Sequence, residues 1–229
     1  MENVAILVDG AFFIKRARNI FGKKTPDELA RILSYYCHRH LLSDHGKRRD
    51  RLYRIFFYDC PPLSAKIFHP YLGKQIDFSK SEKSLWRLSL HEELKHVRKM
   101  ALRLGHVDDT NVSWRINYDK IKKLCAKKIV FSDLTEDDFS MDAKQKGVDM
   151  RIGIDITSLA LKKQVTKIVL ISGDSDFVPA AKFARREGID FILDPMWAPI
   201  KPDLCEHIDG LYSTFPKPKK INAQHFGPV

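Results

Sequence analysis

The chain has 229 residues, of which 44% are hydrophobic and 10% aromatic, and it carries a formal net charge of +11. This composition excludes a largely disordered chain, and every apolar run is far shorter than the roughly 20 residues of a membrane-spanning helix. The first ten residues lead directly into a strand pattern, without the basic segment and cleavage site of a signal peptide. The four cysteines show no C-x-x-C spacing, so we expect a cytoplasmic protein with reduced thiols and no membrane contact.

The N-terminal part of the chain reads as alternating strands and helices. The predicted elements are, in order, a strand over 3–8, a helix over 11–20, a helix that follows Thr25 and a strand over 52–58. Thr25-Pro26-Asp27-Glu28 is a capping box with proline in the first helical turn. The two strands are followed directly by Asp9 and Asp59.

The sequence of residues 60–145 indicates a basic, partly helical insertion. Its elements are helices over 84–104 and 118–128, a short strand over 112–116 and an acidic loop over 133–142. The chain then alternates again, with a helix over 147–163, a strand over 167–171, a helix over 175–186, a strand over 189–193 and a short helix over 204–209. We expect residues 1–212 to form one domain and residues 213–229 to form a flexible tail.

The alternating pattern predicts an α/β fold, with a mostly parallel sheet and helices on both of its faces. Right-handed crossovers place the carboxyl ends of all parallel strands at one edge. Ligands of open α/β sheets bind in the crevice at that edge.

Four aspartates converge on this crevice. Asp9 ends the first strand, Asp174 and Asp176 follow the strand over 167–171, and Asp149 lies in the first turn of the preceding helix. Such carboxylates repel one another, and a hard divalent cation removes the conflict. The absence of His and Cys argues against zinc. Helix capping and turn formation are alternative roles for the last three, whereas a strand end does not require the carboxylate of Asp9.

Two further aspartates are weaker candidate ligands. Asp59 ends the second strand at the same edge. Asp155 lies about 120° around the helix from Asp149. Because Asp155 is four residues from Arg151, we predict an ion pair between those two side chains.

Three segments resemble the NYN-domain family of PIN-like, metal-dependent ribonucleases. They are Val8-Asp9-Gly10, Lys146-Gly147-Val148-Asp149 and Ser172-Gly173-Asp174-Ser175-Asp176-Phe177. The last two are specific in combination, and the resemblance extends over most of residues 1–194. It implies a PIN-like (Rossmannoid) sheet and hydrolysis of RNA phosphodiester bonds with Mg²⁺ or Mn²⁺. It also implies that Asp9, Asp149 and Asp174 are metal ligands and that Asp176 is a ligand or orients water.

The sequence departs from the family pattern at one place. Many relatives carry Asn shortly after the opening Asp-Gly, where this chain has Phe12 and Phe13. The missing amide affects substrate positioning rather than metal binding.

The positive charge is concentrated in the middle of the chain. Residues 47–128 contain 20 Lys and Arg against 9 Asp and Glu, whereas the remaining residues hold 20 of each. A concentrated basic region indicates a polyanionic partner, although a solvated lysine-rich face is the alternative. The predicted RNA-phosphate contacts are Lys47, Arg48, Arg49, Arg51, Lys95, Arg98, Lys99 and Arg103, with Lys120, Lys122 and Lys123 as further options. Tyr58, Trp86 and Trp114 are candidates for base stacking, but core packing is the better interpretation of each.

The sequence thus predicts a metal-dependent endoribonuclease that leaves 5′-phosphate and 3′-hydroxyl ends. A non-catalytic RNA-binding or regulatory module of the same fold is the main alternative, in which the aspartates are only structural. A phosphatase with an aspartyl nucleophile would require a second acid two residues after Asp9, where this chain has Ala11. The RNA target, the number of metals and the oligomeric state, a homodimer included, are left open.

Overall fold

A computed structural model describes residues 1–42, 46–47, 49–109, 112–143 and 145–218. The helices of these ranges are α1 (Gly10–Phe21), α2 (Pro26–Arg39), α3 (Glu82–Lys95), α4 (Tyr118–Cys125), α5 (Val148–Leu161), α6 (Val178–Arg186) and α7 (Pro202–Glu206). The strands are β1 (Asn3–Asp9), β2 (Arg51–Asp59), β3 (Lys66–His69), β4 (Lys74–Asp77), β5 (Met100–Leu104), β6 (His106–Val107), β7 (Ser113–Ile116), β8 (Phe139–Asp142), β9 (Gln145–Lys146), β10 (Lys167–Ile171), β11 (Asp190–Asp194) and β12 (Gly210–Leu211). None of the helices in these ranges is long and apolar enough to cross a membrane.

Six strands form the central sheet, in the order β12-β11-β10-β1-β2-β5. Every neighbouring pair in it is parallel. All five residues of β10 and the five inner residues of β1 are buried, as expected for central strands that are covered on both faces. The predicted α/β fold with a mostly parallel sheet is therefore confirmed.

Helices cover the two faces of the sheet separately. Val4, Ile6 and Val8 of β1 pack with α1, α2 and α3 in one hydrophobic cluster. Ala5 and Leu7 point to the other face and pack with α5 and α6. This division follows from the two-residue side-chain period of a strand.

The prediction of one helix over 84–104 is wrong in its second half. Helix α3 ends at Lys95, and Met100–Leu104 is β5, the edge strand that pairs with β2. Lys99 has a positive φ of 63° directly before this strand. The apolar residues of β5 matched a helical pattern, but pairing with β2 determines their conformation because tertiary contacts override a local preference.

The remainder of the insertion consists largely of short antiparallel pairs. β3 pairs with β4, β6 with β9 and β7 with β8. The acidic segment 133–142, which the sequence predicted as a loop, contains β8. Trp114 connects two of the pairs, because its Nε1 donates to the Phe68 carbonyl at 2.9 Å and its ring lies 4.0 Å from the His69 ring.

Residues after β12 pack against α2. The Phe215 ring stacks on Tyr36 at a centroid distance of 5.0 Å, and the Ser213 hydroxyl donates to Asp194 at 2.7 Å. Ser213 and Phe215 fall in the segment that the sequence assigned to a flexible tail. Residues 219–229 lie outside the described ranges.

Candidate functional site

Asp9 is held at the carboxyl edge of the sheet by the start of α1. Its Oδ1 accepts a hydrogen bond from the Phe12 backbone N–H at 3.1 Å and so caps the helix. Gly10 follows, and a Cβ at this position would lie 2.6 Å from the Tyr58 carbonyl oxygen. Only glycine allows α1 to begin this close to β2, which fixes the place of the Asp9 carboxylate.

The loop after β10 brings Asp174 next to Asp9. The buried Ser172 hydroxyl donates to Asp9 Oδ2 at 3.2 Å and accepts from the Asp174 backbone N–H at 3.3 Å. Asp174 Oδ1 in turn accepts from the Asp176 backbone N–H at 3.0 Å. Ser172 thus joins the two strand ends, and it is absent from the predicted site residues. Its place at the start of the Ser172–Phe177 segment was the available signal.

Asp149 reaches the same edge from α5. Gly147, which has a left-handed φ of 80°, starts this helix, and the Arg151 guanidinium donates to the Gly147 carbonyl at 2.7 Å. Because α5 leads into β10, its first turn lies at the carboxyl edge. Asp149 is an exposed residue of that turn.

The aspartates are close enough for their negative charges to affect one another's pKa values. Burial raises the pKa of Asp9, and hydrogen bonds from Phe12 and Ser172 partly offset this, while Asp149 and Asp174 raise it further. Although Asp149 is exposed as a residue, partial desolvation of its carboxylate raises its pKa, and the negative charges of Asp174 and Asp176 add to the effect. Among the described residues, none of the four forms an ion pair.

This donor set suits a hard divalent cation. It supplies carboxylate oxygens with uncompensated negative charge, which Mg²⁺ and Mn²⁺ prefer. In the parts of the chain that the structure describes, however, no three His, Cys, Asp or Glu side chains already converge as a metal site. Oxygens of Asp9 and Asp174 accept hydrogen bonds from backbone N–H and hydroxyl donors instead.

Asp59 has a different environment at the same edge. Arg87 donates to both of its oxygens, one of them at 2.7 Å, and His91 Nε2 lies 2.8 Å from Oδ2. Burial acts to raise the pKa of Asp59, but the hydrogen bonds from His91 and Arg87 outweigh it, and the pKa is lowered. Basic side chains of α3 thus bind both oxygens of the Asp59 carboxylate.

Asp155 also has partners, but not the predicted one. Its Oδ2 accepts from the Tyr58 hydroxyl at 2.8 Å and from Arg103 Nε at 3.1 Å. The predicted ion pair with Arg151 is therefore wrong, because β5 places Arg103 beside α5. The pKa of Tyr58 is raised, mainly because the residue is buried and further because its hydroxyl lies beside the negative charge of Asp155.

The three candidate stacking residues are engaged in packing. Tyr58 is fully buried, and Trp86 packs against the core while its Nε1 donates to the Lys24 carbonyl at 3.0 Å. Trp114 is held between two hairpins, as described above. Core packing was the preferred interpretation of each, and it is confirmed for Tyr58.

Most of the predicted RNA contacts lie away from the aspartates. Arg51 pairs in register with Asn3 at the start of β1, whereas Asp9 pairs with Tyr58 at its end. Six residues of strand, about 20 Å, separate these two levels. Arg49 lies two residues before β2 and pairs with Asp50 at 3.3 Å. Arg48 lies outside the described residues.

The second group of predicted contacts is also largely remote or occupied. Lys95 pairs with Glu92 at 2.5 Å, Lys99 donates to the Leu52 carbonyl, and Arg98 lies between α3 and β5. Arg103 pairs with Tyr58 in register and so reaches the level of Asp9, but Asp155 binds it. Of the further options, Lys120 pairs with Asp138 at 3.2 Å.

A comparison with protein families decides the classification. A model of the NYN domain matches residues 89–210, more than half of the chain. The chain belongs to the NYN-domain family. This family has a PIN-like nuclease fold, with which the six-stranded parallel sheet agrees. The NYN match contains Asp149, Asp174 and Asp176, and it begins after Asp9.

Two other comparisons add little. The crystal structure of a protein of unknown function from Vibrio parahaemolyticus is similar over 92% of this NYN protein and 91% of its own chain, with 14% sequence identity and a TM-score of 0.47. A search of curated proteins found no match.

Proposed function

We propose that this NYN-family protein is a metal-dependent endoribonuclease that hydrolyses RNA phosphodiester bonds at the carboxyl edge of its sheet. The observation that carries the proposal is the group of Asp9, Asp149 and Asp174. Burial first, and then repulsion from the neighbouring aspartates, raises the pKa of Asp9 and of Asp149, and no cationic side chain of the described residues forms an ion pair with the group. Unneutralised, coupled carboxylates in a crevice are typical of functional sites rather than of structural ion pairs.

The roles follow from position. Asp9, Asp149 and Asp174 would hold the cation, and Asp176 would be a further ligand or orient water. A bound Mg²⁺ or Mn²⁺ supplies activation of a water molecule and stabilisation of negative charge on the phosphoryl oxygens. Ser172 positions Asp9 through the 3.2 Å hydrogen bond to its carboxylate.

Phe12 takes part in shaping this site. A Cβ at Gly173 would lie 2.9 Å from the Phe12 ring, so the ring covers the loop that carries Asp174. An apolar surface therefore stands where the resemblance led us to expect an amide. In this chain, orientation of the substrate must come from other polar groups at the edge.

The test is cleavage of end-labelled single-stranded RNA with Mg²⁺, with Mn²⁺ or with EDTA. The unaltered protein is compared with Asp9→Asn and Asp174→Asn, and Asp119→Asn on helix α4, outside the aspartate group, is the matched control. We expect metal-dependent cleavage to 5′-phosphate and 3′-hydroxyl ends, lost in the two site variants and kept in the control. RNA that is bound but not cleaved with either metal would favour the non-catalytic module.

A further inference from the structure

If RNA is cleaved at the aspartates, its phosphates require cationic side chains close to them. Most of the basic residues predicted from the sequence as phosphate contacts lie away from this edge or are engaged in other contacts. Two other cations meet this requirement, Arg18 in the last turn of α1 and Lys83 in the first turn of α3. Both residues are exposed. Within the described ranges, neither side chain forms an ion pair or a side-chain hydrogen bond.

Tertiary contacts hold these two cations together. Trp86 of α3 donates to the Lys24 carbonyl in the turn after α1 at 3.0 Å, which fixes the end of α1 against the start of α3. Lys83 lies one helical turn before Arg87, so both point to the same side of α3. Although Lys83 is exposed as a residue, neighbouring protein atoms partly desolvate its ammonium group and lower its pKa, and the guanidinium groups of Arg87 and Arg18 lower it further.

Arg87, with Lys83 one helical turn before it, lies at the same edge as the aspartates, and the end of α1 with Arg18 packs beside these first turns of α3. Arg87 is anchored by Asp59, the last residue of β2, whose preceding residue Tyr58 pairs with Asp9. From Asp9, the exposed face of α1 leads through Ala11 towards Arg18. Ala11 and Arg18 are seven residues apart and therefore lie on one helix face, about 10 Å apart along the axis.

The charge balance distinguishes this group from an ordinary surface. Asp59 neutralises Arg87, which leaves the charges of Lys83 and Arg18 uncompensated among the described residues. Like charges that are held together and partly desolvated disfavour their own charged forms. A bound anion removes this cost, and the phosphodiester backbone of RNA is the anion that the proposed function brings to this edge.

We propose that Lys83 and Arg18, placed by Arg87 and Trp86, bind a backbone phosphate of the RNA substrate beside the aspartate site. This inference rests on the proposed function. Contacts of this kind set the path of the strand and do not read its sequence. They replace Arg51, which is remote from the aspartates, as the main phosphate contacts for the strand at this edge.

The experiment measures equilibrium binding of a short single-stranded RNA in EDTA, where no cleavage interferes. The double variant Arg18→Ala/Lys83→Ala is compared with Arg51→Ala/Arg98→Ala, which removes the same charge from predicted contacts remote from the aspartates. We expect about tenfold or greater weakening for the first pair and little change for the second. The slope of log K against log salt should also become shallower by roughly 1 to 1.5 for the first pair only.

Thermal melting of both double variants checks that they are folded, and Lys83→Arg, which keeps the charge, should bind RNA like the unaltered protein. Equal weakening by the two double variants, or none by the first, would overturn the inference and leave the nuclease proposal intact. Failure of the unaltered protein to bind RNA would instead overturn the proposed function, and this inference with it.

Discussion

Two sets of carboxylates lie along one edge of the sheet and differ in their hydrogen-bond and ion-pair partners. Asp59 and Asp194 end β2 and β11 and are fully buried. Asp59 binds Arg87 and His91, while Asp194 lies 2.8 Å from His40 Nε2 and accepts from the Ser213 hydroxyl. Asp9 ends β1 and Asp174 lies in the loop after β10, and among the described residues both have only backbone and hydroxyl donors. The same residue type at the same edge thus stabilises the fold in one set and is available to a ligand in the other.

The difference arises from the helices that cover each strand end. Helix α3 directs Arg87 and His91 onto Asp59, and the end of α2 brings His40 to Asp194. No basic side chain in the described ranges lies against Asp9 in this way. A pair of substitutions, one in each set, therefore separates a structural carboxylate from a functional one.

The largest effect is expected for Asp174→Asn. It should lower the rate of RNA cleavage by about 100-fold or more, because a proposed ligand is lost. Stability without metal should stay the same or rise slightly, since one source of carboxylate repulsion is removed. Single-turnover rates and thermal melting in EDTA measure the two effects. A clear loss of stability with cleavage retained would place Asp174 in the structural set.

The opposite pattern is expected for Asp59→Asn. Loss of this carboxylate leaves Arg87 without its anionic partner, and breaking such a buried pair costs about 3 kcal/mol or more. Urea unfolding gives the change in free energy. At saturating RNA, which removes any effect on substrate binding through Arg87, cleavage per folded molecule should stay within a few-fold of the unaltered protein when assayed well below the melting temperature. A stable Asp59→Asn protein without activity would contradict the division drawn here.

The pH dependence of stability sharpens this comparison. The pKa of Asp59 is lower in the folded protein than its ordinary value, so the unfolded chain binds the proton more readily. Its stabilising contribution is complete above the unfolded pKa of about 3.9 and is lost as the pH falls through the folded pKa. Urea unfolding across this pH range should show that the difference in the free energy of unfolding between Asp59→Asn and the unaltered protein becomes smaller towards acid pH. If this difference in the free energy of unfolding stays constant or becomes larger, ionisation of Asp59 does not stabilise the fold.

The smallest effect is expected for Ser172→Ala. This change removes one hydrogen bond to Asp9 and one to the Asp174 backbone, a loss of about 1 kcal/mol for each. As Ser172 positions Asp9 and does not touch the substrate, kcat should fall about tenfold while KM for RNA changes little. Steady-state kinetics separates the two constants, and Ser172→Thr, which keeps the hydroxyl, is the control. A rise in KM at constant kcat would mean that Ser172 contacts the RNA itself.

The sequence by itself determined the α/β fold class, the resemblance to the NYN family and the edge at which the aspartates meet. These properties depend on apolar periodicity, on capping residues and on the rule that parallel strands end on one side. All three are local or topological, so they can be read along the chain. The placement of Asp9, Asp149 and Asp174 at one edge follows from them directly.

Only the tertiary structure decided which charges meet. Pairing with β2 turned residues 100–104 from a predicted helix into β5, and this strand brought Arg103 to Asp155 in place of Arg151. Arg51 proved to lie about 20 Å from the level of Asp9, because it begins the parallel strand whose other end reaches that level. Contacts such as Arg87 with Asp59 join residues of separate elements, and neither composition nor spacing contains the packing of α3 that creates them.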